Sequence, residues 1–388
     1  MRFLSARALI LFLALAAGAA VLLRPSATLG FVRRTKPFST AFFQYQNWKH
    51  PWMDAKAAGE GRPARELKLA YPMGLAIGHD GSVYIGDRLG RFIWRIGRDG
   101  RAHVFAGTGR RGAAEPAAAR EVNLGSPEGI ALDPRDGSLA IADSFNHVIL
   151  RVKDGYVERI AGTGESGYSG DGGPAVHARL ARPYDVAFNS RGELFIADYD
   201  NNRIRKIGMD GTITTFAGGA EPGYSGDGGP VSRARIRGPW SVAVDGNDSV
   251  LIADSDNHVI RSVGKDGVIR TIAGRGQRGR EGDGGPALKA SFDTPQAMLR
   301  LRDGRLLIDD EHNNAIRVLE RDGTVKRLMG AAFAGRAAEG APAASAALND
   351  PENVLELPDG TLLIADGANG RVLRVGSDGR VRVFAGPR

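Results

Sequence analysis

Residues 182–219, RPYDVAFNSRGELFIADYDNNRIRKIGMDGTITTFAGG, contain four short apolar or alternating runs that are separated by turn-forming pieces. The runs are YDVAF, ELFIAD, RIRKI and TITTFAG, and the pieces between them are rich in Gly, Asp and Asn. Short runs with this punctuation are typical of β-strands joined by turns. The segment therefore predicts an antiparallel meander of four strands.

The same pattern recurs along the chain at a fixed period. Each copy begins at a proline, and successive prolines are 55, 56, 56, 56 and 56 residues apart. A repeat of this length with four strands in each unit is typical of β-propeller blades. The sequence therefore predicts an all-β fold, a six-bladed β-propeller of four-stranded antiparallel blades that begin near residues 72, 127, 183, 239, 295 and 351.

Polar residues recur at fixed places within each unit. The second strand ends in an aspartate, and in five units an asparagine follows three residues later, as in Asp198 and Asn201. Because Asp and Asn side chains bond nearby backbone groups, we expect this pair to shape the connection between strands two and three. An Asp-Gly pair lies between strands three and four and predicts tight turns there.

The motifs P-x-G-I-A-x-D, L-x-I-A-D-S-x-N-H-x-I and D-G-x-x-x-x-x-A-G together resemble the NHL-repeat family. The long GDGGPA-type connectors are similar to those of bacterial and teneurin-like members, and the resemblance covers residues 59–388. It implies a propeller over that range. Propellers of this type host binding modules and several unrelated enzymes, so the resemblance leaves the function open.

The first 58 residues lie outside the repeat. Arg2 and Arg7 precede an uninterrupted apolar run over residues 8–23, which predicts an N-terminal hydrophobic helix within a signal peptide or signal anchor at residues 1–36. Cleavage is left open, so the segment either is removed or remains as a transmembrane anchor. Residues 37–58 are an aromatic-rich linker or extension. We expect an exported, extracytoplasmic propeller, periplasmic or extracellular, and attached to the inner membrane if the leader remains.

The ends of the repeat region predict how the ring closes. Residues 59–64 match the end of an inter-blade connector, and the chain ends at Phe384-Ala385-Gly386, where the next connector would start. Blade six can therefore meet blade one without exchange of a strand, which leaves no exposed sheet edge. The expected product is a monomeric propeller.

Most of the excess of basic over acidic residues lies in the leader. The formal net charge is +8, but residues 1–36 hold six basic and no acidic residues, which leaves 46 basic and 44 acidic residues elsewhere. A nearly neutral propeller lacks the basic surface that nucleic-acid binding requires. We therefore expect no nucleic-acid partner, and a membrane contact only through the N-terminal apolar segment.

Several motifs that resemble cofactor sites are better explained by the repeat. Three GxGxxG matches follow a fourth strand and have no helix behind them, so they do not form a dinucleotide site. Residues 198–202 and 254–258 resemble the start of a calcium loop but lack its later glycine and glutamate. The histidines do not converge in the repeat, which excludes a zinc site of three ligands. The sequence predicts no cofactor and no metal at these places.

The blades differ most just after each anchor proline, at the entrance of the channel that the first strands line. A mixture of carboxylates, aromatic rings and amides at one rim suits a polar ligand with an apolar face. Asp309 is a further anomaly, because other blades carry alanine there. The predicted ligand-binding residues are Glu128, Tyr184, Asp185, Trp240, Gln296, Glu352 and Asn353.

Two functions follow from this ring. The first is a non-catalytic binding or scaffold module for a protein, a glycan or a small polar ligand, held at the channel mouth or on the connector face. The alternative is a metal-assisted hydrolase or lyase resembling gluconolactonase or strictosidine-synthase-like propellers, with a divalent cation such as calcium in the channel. For that alternative the chemically suitable residues are Glu128, Asp185, Glu352 and Asn353.

Overall fold

The computed structural model describes residues 54–331 and 333–387. The predicted leader at residues 1–36 and most of the extension at 37–58 lie outside the described residues. The described end of the extension forms a single helical turn, α1 (Ala55–Ala58), capped by the side chain of Asp54. Among the described residues, no helix combines the length and the apolar character needed to cross a membrane.

Six β-sheets follow one another along the chain and confirm the predicted blades. In five of them four consecutive strands pair in sequence order, and in the second blade a short extra strand, β5, pairs with β9 at the outer edge. The strands are β1 (Pro72–Ile77), β2 (Val83–Asp87), β3 (Phe92–Ile96), β4 (Ala102–Ala106), β5 (Ala117–Ala118), β6 (Pro127–Leu132), β7 (Leu139–Asp143), β8 (Val148–Lys153), β9 (Tyr156–Ala161), β10 (Pro183–Phe188), β11 (Leu194–Asp198), β12 (Arg203–Ile207), β13 (Ile213–Gly218), β14 (Pro239–Val244), β15 (Val250–Asp254), β16 (Val259–Val263), β17 (Ile269–Ala273), β18 (Pro295–Arg300), β19 (Leu306–Asp310), β20 (Ala315–Leu319), β21 (Val325–Met329), β22 (Pro351–Glu356), β23 (Leu362–Asp366), β24 (Arg371–Val375) and β25 (Val381–Ala385).

Apolar side chains fill the space between neighbouring blades. The described residues form six buried clusters, and each cluster joins two adjacent blades, including blade six and blade one. The first strands contact one another in a closed ring, since β1 touches both β6 and β22. Second strands are buried along their whole length in five of the blades, because they are covered on both faces by neighbouring sheets.

The Asp and Asn pair does more than shape one turn. Asp198 accepts the backbone N–H of Ala181 at 2.7 Å, and Asn201 donates to Asp198 at 2.8 Å and to the carbonyl of Gly167 at 2.7 Å. The pair therefore links strand two to the connector that enters its own blade. Equivalent bonds recur at Asn146, Asn257, Asn313 and Asn369. The turn itself is a 3-10 helix that ends in a left-handed residue, Asn202 in this blade.

The connector aspartates pair with buried arginines of strand three. Asp171, Asp227 and Asp283 lie 2.6, 2.6 and 3.0 Å from Arg205, Arg261 and Arg317. Each of these arginines also lies within 3.4 to 3.7 Å of the aspartate at the end of strand two. These three groups, which we call the connector clamp, fix each connector to the outer half of its blade. The clamp thus gives each connector carboxylate a structural partner.

The turns between strands three and four are less uniform than the Asp-Gly pattern predicts. In blade two, Lys153 pairs with Tyr156, and Asp154 and Gly155 form a two-residue turn with φ of 49° and 77°. Residues 208–212 in blade three form a longer loop instead, in which Asp210 accepts the N–H of Thr212 at 3.0 Å. The aspartate therefore caps its own loop in that blade, and only the glycine must adopt a positive φ.

Candidate functional site

Strand pairing brings two separate positions of each repeat to one end of the channel. Strands one and two are antiparallel, and the first residue of one pairs with the last residue of the other, as Pro183 does with Asp198. Residues next to the anchor proline therefore lie beside the residues that follow strand two. We call this end of the propeller, where the first strands begin, the entrance face.

The predicted ring surrounds a very narrow channel. Its cavity is about 20 Å³ in volume, close to the least that one water molecule requires. A small molecule therefore has no room within this cavity. All of the predicted ligand-binding residues except Gln296 line the cavity, whose walls are Met73, Gly74, Glu128, Gly129, Tyr184, Asp185, Trp240, Ser241, Ala297, Glu352 and Asn353.

Blades three and four carry an aromatic cluster made of Tyr184, Tyr199 and Trp240. The rings of Tyr184 and Trp240 are stacked, with centroids 4.1 Å apart and an interplanar angle of 24°. Tyr199 packs at 4.8 Å from Tyr184 and edge-on at 5.4 Å from Trp240. Arg182 lies over the Tyr184 and Tyr199 rings and contacts the Tyr184 hydroxyl. Tyr184 is buried and Trp240 is partly exposed, so the cluster offers a fixed aromatic surface at the rim.

Asp185 lies next to this aromatic cluster. Its carboxylate accepts hydrogen bonds from the Ser241 hydroxyl at 2.6 Å and from the backbone N–H of Val186 at 2.9 Å. Burial raises its pKa to about 7, despite these bonds to the charged form. The group therefore changes its charge close to neutral pH.

Glu128 is fully buried and is held by its neighbours. Its Oε1 atom accepts hydrogen bonds from Ser126 and Ser144 at 2.8 and 2.7 Å, and it lies 3.2 Å from the Arg88 guanidinium. The two glutamates that the sequence places in one ring both line the cavity, but they have different partners. Glu128 forms an ion pair with Arg88, while Glu352 joins a different group of carboxylates.

That second group, the acidic cluster, consists of Glu311, Asp350 and Glu352. One carboxylate oxygen from each residue lies within 4.8 Å of the other two. The hydroxyl of Tyr71 lies 2.8 Å from Asp350 and 2.7 Å from Glu352. A tyrosine hydroxyl has a single hydrogen, so this group cannot fully satisfy two carboxylates.

Two further buried groups adjoin the acidic cluster. Gln296 is only 1% exposed and acts to lower the pKa of Glu311. Asp309 is fully buried. Among the described residues, the Gln296 Oε1 atom, both carboxylate oxygens of Asp309 and one oxygen of Glu352 have no hydrogen-bond partner. Buried polar atoms are normally satisfied, so these atoms are candidates to bind a further group.

The pKa values of these carboxyl groups reflect their burial and their mutual repulsion. Burial raises the pKa of Asp309, Glu311 and Glu352 well above the usual range, and repulsion from the neighbouring carboxylates raises each pKa further. Tyr71 and Arg88 oppose the shift at Glu352 but do not cancel it. A cation bound beside these carboxyl groups would lower their pKa values again.

Several residues of the entrance face are absent from the predicted ring. Tyr71, Arg182 and Asp350 precede the anchor proline, whereas Arg88, Tyr199 and Glu311 follow the aspartate of strand two. These two positions also vary from blade to blade. Ser126 occupies in blade two the position of Asp350 in blade six, and Ser255 occupies in blade four the position of Glu311 in blade five. That variation was a usable signal in the sequence, but the link to the channel needed the strand pairing.

Six four-stranded blades around a narrow central channel define the class of the protein, a β-propeller. The family model of the Teneurin NHL domain matches residues 46–218 of the chain. Together with the six-fold sequence repeat and the similarity to teneurins, this match supports the resemblance of the chain to NHL-repeat β-propellers.

The similar proteins include two teneurins. Teneurin-m of Drosophila melanogaster is 34% identical over 236 residues, which cover 54% of this chain and 8% of Teneurin-m. Teneurin-3 of Mus musculus is 28% identical over 346 residues, which cover 79% of this chain and 12% of Teneurin-3. The chain thus spans only a small part of the length of these relatives.

Solved structures with the same fold come from Bacteroides thetaiotaomicron. A protein of unknown function has a TM-score of 0.59 and 15% identity, with 84% of this chain and 72% of that chain covered. An auxiliary nutrient binding protein has a TM-score of 0.56 and 13% identity, with coverages of 84% and 70%. At such low identity these similarities show the fold alone.

Proposed function

We propose that this protein is a non-catalytic binding module that holds a protein partner at its entrance face. The observation that supports this proposal most directly is the aromatic cluster, which places the partly exposed Trp240 beside the stacked ring of Tyr184 at 4.1 Å. Rigid aromatic groups at a rim are the residues that most often dominate binding energy at protein interfaces. The narrow channel favours a ligand on the face over one inside the ring.

The charge of the face indicates the chemistry of the partner. The acidic cluster and the aromatic cluster surround the same channel, since Glu352, Tyr184 and Trp240 all line it. A basic side chain, lysine or arginine, gains from both, through contact with aromatic rings and attraction to carboxylates. We therefore infer a partner that presents an exposed basic segment.

The site of action that we propose is outside the cytoplasm. The support for it is the sequence of residues 1–36, which has the basic start and apolar run of an export segment. A fusion of this segment to a reporter that is active only after export would test it. Export of the reporter, and its loss when the apolar run is interrupted by Leu13→Arg, is the expected result; an inactive reporter would contradict the proposal.

Binding can be tested with a peptide array and a glycan array probed with the purified protein. Basic peptides are expected to bind, and Trp240→Ala is expected to weaken that binding at least ~10-fold, which corresponds to the loss of one interface hot spot. Tyr156→Ala is the matched control, because Tyr156 is an exposed aromatic residue on the outer strand of blade two. Binding that does not respond to Trp240→Ala would contradict the proposal, and capture of a glycan through Trp240 would reassign the partner.

The acidic cluster favours one alternative function, a metal-assisted hydrolase or lyase. Buried carboxylates with raised pKa values are found in catalytic sites as well as in binding sites. This function predicts turnover of lactones or glycosides in the presence of a divalent cation, lost in Glu352→Gln. Turnover of this kind would replace the binding module as the function, whereas its absence together with binding of basic peptides would exclude it.

A further inference from the structure

We propose that Glu311, Asp350 and Glu352 bind one calcium ion at the entrance face. This inference concerns a site for a metal ion and does not depend on the identity of the partner proposed above. It starts from the mutual distances in the acidic cluster, where one oxygen from each residue lies within 4.8 Å of the others. Calcium bonds oxygen at about 2.3–2.6 Å, so a single ion can bridge oxygens with such separations.

The chemistry of the ligands selects a hard cation. Each member of the acidic cluster offers carboxylate oxygen, and the adjacent Gln296 adds an amide oxygen that has no hydrogen-bond partner within residues 54–331 and 333–387. Carboxylate and amide oxygens are the usual ligands of calcium in proteins. Magnesium demands shorter bonds of about 2.0–2.1 Å in a strict octahedron and keeps most of its water, which suits a buried group of three carboxylates poorly.

A second observation, separate from the cluster itself, also points to a bound cation. Asp309 is fully buried, both of its oxygens lack a partner in the part of the chain that the structure describes, and its charge acts on Glu311. Alanine occupies the same place in four other blades, at residues 142, 197, 253 and 365. An unpaired carboxylate in a sheet interior is costly unless a positive charge is near. A calcium ion in the acidic cluster would supply that charge.

Within residues 54–331 and 333–387, few basic groups lie near the acidic cluster. Arg88 lies 3.2 Å from Glu128, which is a separate buried carboxylate. The ring of His312 lies 3.3 Å from Glu311 and 3.4 Å from Asp293, and its side chain is half exposed. The negative groups of the site are the carboxylates of Asp309, Glu311, Asp350 and Glu352. One divalent ion would offset two of the four negative charges that these groups carry when ionised.

The test is calcium binding by the full-length protein, purified in detergent and stripped with a chelator. Titration calorimetry with calcium chloride should show one saturable site per chain, and ~1 mM calcium should raise the midpoint of thermal unfolding by about 3 °C or more, because a ligand that binds only the folded state stabilises it. Absence of both binding heat and a thermal shift would overturn the proposal. Equally tight binding of magnesium chloride would overturn the assignment to calcium.

Two variants keep the test interpretable. Glu352→Gln should bind calcium at least ~10-fold more weakly, while its unfolding midpoint in chelator stays equal or rises, because a like charge has been removed from the cluster. Glu311→Gln should behave in the same way and serves if Glu352→Gln does not fold. Glu165→Gln is the matched control, since Glu165 is 67% exposed on a connector. A variant of the cluster that binds calcium as tightly as the control would contradict the proposed site.

Discussion

Trp240 and Glu352 occupy the same position in their blades, one residue after the anchor proline, yet one belongs to the aromatic cluster and the other to the acidic cluster. A repeat places equivalent residues in a ring, so a change at a single position in each blade can create an asymmetric surface without disturbing the blades. The asymmetry here has a clear direction. Blades three and four present rings, and blades five and six present carboxylates.

Asp185 leads to a prediction about pH at the scale of one residue. Its folded pKa of about 7 exceeds the ordinary value of 3.8, so the folded state holds its proton more tightly than the unfolded state. The wild-type protein therefore loses stability as pH rises from about 4 to about 7. Asp185→Asn removes this loss and should increase the free energy of unfolding by ~1–2 kcal/mol at pH 8, with no gain at pH 4. The expected gain is smaller than the pKa difference alone would give, because Asp185 is partly exposed.

Urea unfolding at both pH values measures this difference. Asp266→Asn is a suitable control because Asp266 is an exposed acid whose pKa is lowered by its hydrogen bond to Arg270. The ionised form of Asp266 stabilises the folded state, so Asp266→Asn should lose a little stability at pH 8. Equal effects of Asp185→Asn at pH 4 and pH 8 would show that the carboxyl group does not have the raised pKa.

Some residues of the entrance face could be identified from the sequence alone, and others could not. Glu128, Tyr184 and Trp240 could be found because they follow the anchor proline directly. Glu311 could not be grouped with Asp350 and Glu352, because it lies 41 residues before Glu352 and belongs to the neighbouring blade. A period fixes which residues are equivalent, whereas distances between neighbouring blades come from three-dimensional packing.

The connector clamp shows how sequence variation is coupled at the scale of one blade. Where the connector has an aspartate, strand three has an arginine 34 residues later, as in Asp227 and Arg261. In the other blades the strand-three position is Trp94, Leu150 or Leu373. A single connector carboxylate gives no indication in the sequence of its partner 34 residues later. The joint presence of aspartate and arginine was the signal.

A substitution at the clamp should therefore cost much more than one at its apolar counterpart. Arg261→Met removes a fully buried guanidinium that lies 2.6 Å from Asp227 and 3.7 Å from Asp254, and leaves Asp254 buried. We expect a loss of about 3 kcal/mol in the free energy of unfolding. Leu150→Met, at the same position in blade two, is a volume-conserving change and should cost less than about 1.5 kcal/mol. Urea unfolding of both variants compares them, and equal losses would show that the clamp adds no stability.

At the scale of the whole molecule, the ring closes without a covalent link or an exchanged strand. The N–H of Gly386 donates to the carbonyl of Ala64 at 3.0 Å, just as Gly162 bonds Ala175 between two blades that are joined by a connector. Pro63 pairs with Arg101 as Pro174 pairs with Thr212. The interface between blades six and one is also apolar, with Trp94 fully buried in it. The closing interface is thus built like the five others.

This equivalence predicts that the chain can be opened at a different connector. A circular permutant of residues 54–387 joins the old ends through a short Gly/Ser linker, which is feasible because Gly386 and Ala64 are hydrogen-bonded. New termini between Ala220 and Glu221 lie in an exposed connector where no strand is cut, and such sites tolerate permutation. The permutant should fold with the β-sheet circular dichroism of the parent and should lose at most a few degrees of thermal midpoint. A second permutant with termini between Ile252 and Ala253, inside a fully buried strand, should not fold. If both permutants failed, the connectors would be needed for closure, and the packing of blade six against blade one would not suffice to hold the ring.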